Sequence, residues 1–210
     1  MAYDFRRRRI LLACLAALGA SALPVSVRSE EVEPAITSIR AFYESLLAVM
    51  KQADKLGVRG RYEKLAPAVR ATFDLPAMTR IAVGPDWSAI QPDQQAALIE
   101  NFARMTTATY ASRFDGYSGE RFEVEPTVEE RSSGRIVRSK LIPSNGAPIA
   151  LNYLLRNSGN TWKAVDVYLS GTISELATRR SEFGSILKSG GPSALIESLH
   201  QQTDKLLRSA

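Results

Sequence analysis

The chain has 210 residues, of which 45% are hydrophobic and 23% charged, with 13 Gly and 10 Pro. This composition is typical of a globular protein and excludes a collagen-like or wholly disordered chain. One cysteine and one histidine exclude an internal disulfide and a zinc site built from Cys and His ligands. The formal net charge of +5 suggests an affinity for nucleic acid, which the position of the charges has to support.

The first 22 residues are organised like a secretory signal. Four arginines, Arg6–Arg9, precede the apolar segment Ile10–Ala22, which ends in Ala20-Ser21-Ala22, an A-x-A cleavage pattern. We predict a signal peptide over residues 1–22 and a single domain over residues 23–210. Because the signal holds four basic and one acidic residue, its removal lowers the net charge from +5 to +2. A nearly neutral chain with no Lys/Arg block excludes a nucleic-acid partner.

Other interpretations of the N-terminal segment stay open. The uncharged run Ile10–Val27 has 18 residues, which reaches the lower limit for a membrane span, so an uncleaved anchor is an alternative. Gly19 and Pro24 within the run make it the less favoured one. The paired arginines also permit twin-arginine export. Both export routes deliver the protein outside the cytoplasm, and a mature chain without cysteine suits an oxidising compartment.

Apolar residues recur every three or four positions in the first half of the mature chain, the period of amphipathic helices. Asp74 is a suitable N-cap, and Pro76 and Pro92 suit the first turns of the helices that they open. The predicted helices run from Ile36 to a stop at Gly57 and Gly60, over Arg61–Phe73, from Asp74 to Gly84, and from Pro92 to Gly116, the last being the longest.

The apolar period changes to two after Gly116, which indicates strands. Turn-forming residues containing Gly, Ser or Asn separate them, so neighbouring strands should be antiparallel. The predicted strands are Arg121–Val128, Arg135–Pro143, Pro148–Asn157 and Thr161–Leu169. Two further helices follow, with a break at Gly190–Pro192. We predict an α+β domain in which a four-stranded antiparallel meander packs its apolar face on helices from both ends of the chain.

The sequence holds few residues that favour catalysis. It contains no Gly-rich phosphate loop and no HExxH or GxSxG pattern. The single imidazole, His200, is predicted on the surface of a polar helix. Asp166 or Asp74, with a tyrosine as acid, could serve an enzyme similar to ketosteroid isomerase, although a strand carboxylate such as Asp166 more often pairs with a neighbouring Arg. We predict binding rather than catalysis, with no cofactor and no metal.

A series of segments resembles one known family. These segments are Phe73–Gly84 with Trp87, Gln91–Gln95, Phe102–Phe114, Trp162–Tyr168, Gly171 and Arg180–Phe183. In this order they resemble the MlaC family of periplasmic lipid carriers, also known as toluene-tolerance auxiliary proteins, over Glu33–Leu206. Two segments are most similar in sequence to the branch called HpnM, which is associated with hopanoid biosynthesis. They are Tyr117–Val124 and Gly171–Arg180.

The resemblance implies a periplasmic shuttle that carries phospholipid or hopanoid between the inner and outer membranes. Its implied partners are an inner-membrane ABC-type permease with MCE proteins and either an outer-membrane complex or an RND-type exporter. Arg113 and Arg180 match family positions, and either a head-group contact or pairing with Asp166 would explain them. An isomerase-like enzyme and an adaptor with a filled interior remain the alternatives.

The predicted fold encloses an apolar cavity, and the resemblance places its lipid-binding residues on the inward-facing helical stripes and strands. Periodicity alone cannot separate a cavity lining from a filled core. The predicted lipid-binding residues are Phe42, Leu46, Phe73, Met78, Ile81, Phe102, Met105, Tyr110, Val137, Leu141, Leu151, Tyr153, Val165, Val167, Phe183 and Leu187.

Overall fold

The computed structural model of the chain describes residues 33–208, so the predicted signal peptide lies outside the described residues. Helices come first along the described chain, then a sheet, then a final helix. The helices are α1 (Pro34–Met50), α2 (Ala53–Thr72), α3 (Leu75–Val83), α4 (Pro92–Arg113) and α5 (Glu175–Leu206), with a 3-10 segment at Gly84–Ala89 after α3. The strands are β1 (Arg121–Arg131), β2 (Gly134–Ile142), β3 (Ile149–Ser158), β4 (Thr161–Leu169) and β5 (Ile173–Ser174).

Capping side chains fix where the helices begin. The Glu33 carboxylate accepts hydrogen bonds from the amides of Ala35 and Ile36 at 3.1 and 3.2 Å. At the start of α3, Asp74 accepts from the amide of Ala77 at 3.1 Å, which confirms its prediction as an N-cap. These contacts satisfy backbone donors that the first turn of a helix leaves without an intrahelical partner.

Glycines with non-helical backbone angles interrupt α2 and α5. The prediction that Gly57 and Gly60 terminate the first helix is wrong, because α1 already ends at Met50 and α2 runs through both glycines with a kink at Gly57 (φ 58°). A positive φ suits glycine, which lacks a Cβ. The predicted break at Gly190–Pro192 is confirmed, because Gly191 (φ 68°, ψ −169°) leaves the helical conformation and interrupts α5.

The sheet is antiparallel in the order β1-β2-β3-β4-β5, which confirms the meander but corrects its size from four strands to five. The additional strand has two residues, Ile173 and Ser174, which pair with Leu169 and Tyr168. Two residues cannot show an alternating pattern, which is why sequence periodicity missed this strand.

Side chains on one face of the sheet meet the helices in a dry core. Val137, Tyr153, Leu155 and Val165 are each at most 1% exposed. Helix α1 packs across β1, β2 and β4, while α5 packs on α3, α4 and β4. The helices that cover this face therefore come from both ends of the chain, as predicted.

A buried arginine joins α2 to the end of α4. Arg61 is 4% exposed, and its Nε donates to the carbonyl of Ala111 at 2.8 Å while Nη1 donates to that of Ala53 at 3.2 Å. A cation is favourable at the carboxyl end of a helix, where carbonyl groups lack intrahelical partners. Arg61 thus fixes the last turn of α4.

Candidate functional site

A pocket with a volume of about 130 Å³ lies among α3, α4, the start of α5 and the inner face of β3 and β4. Half of the predicted lipid-binding residues line it: Phe73, Met78, Phe102, Met105, Tyr110, Leu151, Tyr153 and Val167. The structure therefore brings together residues from the helical half and from the sheet, which lie far apart in the sequence.

Helix α4 contributes one continuous wall. Its lining residues are Phe102, Met105, Thr106, Thr109, Tyr110 and Arg113, a spacing that keeps them on one helical face. The hydroxyls of Thr106 and Thr109 donate to the carbonyls of Phe102 and Met105 at 2.8 and 2.9 Å. Because each threonine has used its only hydroxyl proton, neither offers a donor to a molecule in the pocket.

The other half of the predicted residues lies outside the pocket lining. Phe42, Leu46, Val137, Val165 and Phe183 are fully buried in the core, whereas Ile81, Leu141 and Leu187 are half-buried. Several of them support the pocket from behind. The Phe42 ring packs edge-on against Phe73 at 5.2 Å and against Tyr110 at 5.0 Å, and Phe183 packs edge-on against Phe102 at 6.0 Å.

Eight further residues outside the predicted lipid-binding set line the pocket: Thr106, Thr109, Arg113, Phe114, Leu169, Glu175, Leu176 and Arg179. Only Arg113 among them was considered from the sequence, with a head-group contact as one of its two possible roles. The helical phase of α4 could have identified the two threonines, because they share a face with Phe102 and Met105. Ser174, which caps α5, could have marked where that helix begins, but no sequence pattern shows that Glu175 and Arg179 reach the pocket.

Buried hydroxyl groups form a chain behind the pocket wall. The Tyr43 hydroxyl lies 2.6 Å from Ser139 Oγ and 3.1 Å from the Tyr153 hydroxyl. The Ser139 hydroxyl donates to the carbonyl of Leu151 on β3, and both Leu151 and Tyr153 line the pocket. These hydrogen bonds therefore connect two residues of the pocket lining to the centre of the sheet.

Three tyrosines in or behind the pocket wall, Tyr43, Tyr110 and Tyr153, stay uncharged at neutral pH. Burial raises the pKa of Tyr43 to about 12, against the opposing effect of its hydrogen bonds to Ser139 and Tyr153. Burial is also the main cause of the raised pKa of Tyr110 and of Tyr153. A phenolate in this environment would lose its hydration, so the network is stable only in its protonated form.

The charged residues of the lining mark the side on which the pocket opens. Arg113, the last residue of α4, is exposed, and Glu175 and Arg179 in the first turns of α5 are half-buried. Arg179 pairs with Glu182 at 2.8 Å. The walls near the middle of α4 are buried and apolar, so polarity and exposure increase together toward the mouth.

The Asp166 carboxylate has hydrogen-bond partners within the fold, but they are not the predicted ones. Its Oδ1 accepts from the amides of Val167 and Leu176 at 2.8 and 3.1 Å, and its Oδ2 accepts from the Ser174 hydroxyl at 2.6 Å. The predicted arginine partner is wrong, because backbone amides and a serine satisfy the carboxylate. Arg180 instead lies against Gly84, its Nε 3.4 Å from where a Cβ would stand.

Replacing Asp166 by Asn should lower the free energy of unfolding by about 2 kcal/mol, the usual cost of disrupting buried hydrogen bonds to a charged group. The amide keeps one acceptor oxygen but presents an NH₂ group to donors. Urea unfolding measures the change. Asp93→Asn, in the exposed first turn of α4, is the control and should change stability by less than about 0.5 kcal/mol. Equal effects of the two substitutions would contradict this role of Asp166.

The remaining candidates for chemistry are dispersed. His200 is on the surface, with its Nε2 3.9 Å from Asp204 Oδ1, as predicted. Within residues 33–208, no group of three or more His, Cys, Asp or Glu side chains could hold a metal ion. None of the helices in this part of the chain is long and apolar enough to span a membrane.

Comparisons with known proteins agree with this architecture. Residues 40–201 match the model of a family described as MlaC protein. Toluene tolerance protein ttg2D of Pseudomonas putida is 29% identical over 80 residues, which cover 38% of this chain and 37% of that protein. The match thus spans little more than a third of that relative.

A solved structure shares the fold. It is the structure of a phospholipid-binding protein from Ralstonia solanacearum in complex with a phospholipid. It superposes with a TM-score of 0.72 at 23% sequence identity and covers 83% of this chain and 99% of that chain.

Proposed function

The chain belongs to the MlaC family, and on that premise we propose that it binds a lipid and carries it through the periplasm. The observation that carries the proposal is the apolar pocket between α4 and the sheet, whose lining includes Phe73, Phe102 and Met105. We expect the tails of a lipid to lie among these side chains. The complex of the similarly folded Ralstonia protein with a phospholipid supports this ligand. The periplasmic location rests on the family and on the predicted signal peptide.

A carrier of this kind lowers the free-energy cost of moving a lipid through water. Exposing an acyl chain to water costs about 0.8 kcal/mol per CH₂ group, so a tail of sixteen carbons opposes desorption by roughly 13 kcal/mol. A pocket that offers a similar apolar environment offsets most of this cost. Its affinity has to be close to that of the membrane, because a much tighter complex would not release its lipid and a much weaker one would not load.

The pocket has to widen to hold a whole tail. Its volume of about 130 Å³ is close to that of an engineered cavity of about 150 Å³ that holds one benzene molecule. Met78 and Met105 line the pocket, and methionine side chains rearrange readily because they are unbranched. We propose that these side chains move apart as the tail enters, with Phe73 and Phe102 as the firmer walls.

Filling the pocket provides the test. In Thr109→Trp the indole should occupy the space along α4, and bound lipid should fall at least about tenfold, since overpacking leaves no room for a tail. Thr178→Trp is the matched control: Thr178 makes the same bond to the carbonyl four residues earlier but is exposed and outside the lining. Native mass spectrometry, on protein from cells that express the whole chain, measures bound lipid.

The wild-type protein and Thr178→Trp should both retain lipid, before or after incubation with phospholipid vesicles. Circular dichroism of Thr109→Trp is the control for folding, and the variant should give the wild-type spectrum. A wild-type protein that carries no lipid under either condition would contradict the proposal and favour the adaptor alternative. Equal loading of all three proteins would show that lipid binds elsewhere.

Transport between two membranes requires partners, and we propose an inner-membrane ABC-type permease with MCE proteins as one of them. An outer-membrane complex or an RND-type exporter is the proposed second partner. The HpnM branch and a hopanoid ligand stay predictions, and identification of the bound lipid by mass spectrometry separates hopanoid from phospholipid. The isomerase-like alternative gains no support, because Asp166 and Asp74 both serve as hydrogen-bond acceptors for backbone amides.

A further inference from the structure

The mouth of the pocket lies where α4 ends and α5 begins. Along α4 the lining changes from the buried Phe102 and Met105 to the exposed Arg113. Glu175, the first residue of α5, belongs to the same lining and is half-buried. A lipid whose tails lie along α4 therefore places its head group beside these two charged residues.

Two charged residues at the mouth, Arg113 and Glu175, form no ion pair with another residue of the described range 33–208. Both residues line the pocket together with Tyr110, and their charges shift the pKa of Tyr110 in opposite directions, Arg113 lowering it and Glu175 raising it. The third charged lining residue, Arg179, is neutralised by Glu182 at 2.8 Å. Among residues 33–208, the mouth therefore presents one cation and one carboxylate that form no ion pair.

The backbone that carries Arg113 is held in place. Arg61 donates to the carbonyl of Ala111 at 2.8 Å, two residues before Arg113. On the opposite side, the Ser174 hydroxyl accepts from the amide of Ala177 at 2.9 Å and donates to Asp166 at 2.6 Å, which fixes the first turn of α5. Preorganised charges lose less entropy on binding than charges on mobile segments.

We propose that the mouth selects lipids with a zwitterionic head group, in which Arg113 binds the phosphate and Glu175 binds the ammonium group. This inference rests on the proposed function and names the class of lipid that the same pocket takes. Arginine is suited to phosphate because its planar guanidinium donates two parallel hydrogen bonds. A lipid without phosphate leaves Arg113 unpaired, and a head group with phosphate but no amine leaves Glu175 without a cation.

Competitive loading tests the selection. The full-length protein is incubated with vesicles that contain equal amounts of phosphatidylethanolamine, phosphatidylglycerol and diacylglycerol with identical acyl chains, and native mass spectrometry measures each bound lipid. The wild-type protein should prefer phosphatidylethanolamine to phosphatidylglycerol by roughly three- to tenfold, the range expected for one partly exposed charge contact. Its preference for phosphatidylethanolamine over diacylglycerol should be larger.

Each substitution should remove one part of the preference. Arg113→Gln should reduce the ratio of phospholipid to diacylglycerol by roughly three- to tenfold, and Glu175→Gln should bring phosphatidylethanolamine and phosphatidylglycerol close to equal loading. Arg40→Gln and Glu44→Gln are the matched controls, because both residues lie on the exposed face of α1 outside the lining. Arg113→Lys keeps the charge and should retain most of the preference for phosphate.

Two different negative results are distinguishable. If Arg113→Gln and Glu175→Gln load lipid with the wild-type ratios, the head-group inference is wrong while lipid binding stands. If the wild-type protein takes up none of the three lipids, the proposed function fails first. Circular dichroism on every variant separates loss of selectivity from loss of folding, and Arg113→Lys provides the comparison should Arg113→Gln not fold.

Discussion

The free energy of unfolding is expected to fall steeply as the pH rises from about 10 to 12. The pKa of Tyr43 is about 12 in the folded protein, compared with an ordinary value of 10.0. In this interval the unfolded chain loses the tyrosine proton while the folded protein keeps it, so rising pH favours unfolding. A shift of this size corresponds to stability on the order of 3 kcal/mol, present below pH 10 and lost by about pH 12.

Tyr110 and Tyr153 should steepen the same transition, because burial raises the pKa of both. Urea unfolding at a series of pH values measures the effect. Tyr43→Phe should be less stable at neutral pH, since Ser139 and Tyr153 lose a hydrogen-bond partner, but its stability should fall less between pH 10 and 12. Tyr117→Phe, at an exposed tyrosine, should keep the wild-type profile. A Tyr43→Phe profile parallel to the wild type would contradict the assignment.

Replacing Phe73 by Ala is expected to cost about 3–5 kcal/mol of stability, the range for truncating a buried phenylalanine. The ring is 1% exposed and packs against Phe42 at 5.2 Å, Tyr110 at 5.7 Å and Tyr153 at 6.3 Å. Its backbone bridges to Ala164 in β4. Phe73 thus connects the end of α2 to the sheet and to the aromatic residues behind the pocket.

Phe114→Ala is the comparison for Phe73→Ala. Phe114 also lines the pocket and stacks on Tyr110 at 6.0 Å, but it is half-buried, so its truncation should cost clearly less. Urea unfolding of both variants gives the two values. A loss below about 1 kcal/mol for Phe73→Ala would show that the surrounding side chains close the space without strain.

Local signals in the sequence predicted the secondary structure well where a pattern had room to form. The cap at Asp74, the start of α4 at Pro92 and the meander all follow from residue types at short range. Gly57 misled the prediction because it interrupts α2, whereas α1 had already ended at Met50. Strand β5 could not be predicted, because its two residues become a strand only by pairing with β4.

The pocket was harder to predict than the fold. Val165 and Val167 lie two residues apart in β4, yet only Val167 lines the pocket. Both are buried apolar residues, so sequence periodicity treats them alike. The pairing of β4 with β3 shifts register between Ala164 and Asp166, and such a shift arises from contacts between strands that the pattern of residue types does not show.

The back-bonded hydroxyls of Thr106 and Thr109 have a consequence for hydration. With their protons committed to backbone carbonyls, they leave water molecules inside with few groups to hold them, and apolar cavities of this kind tend to stay dry. Little ordered solvent then has to be expelled when a tail enters. Entry into such a dewetted space is commonly driven by enthalpy, through dispersion contacts that the tail gains with the walls.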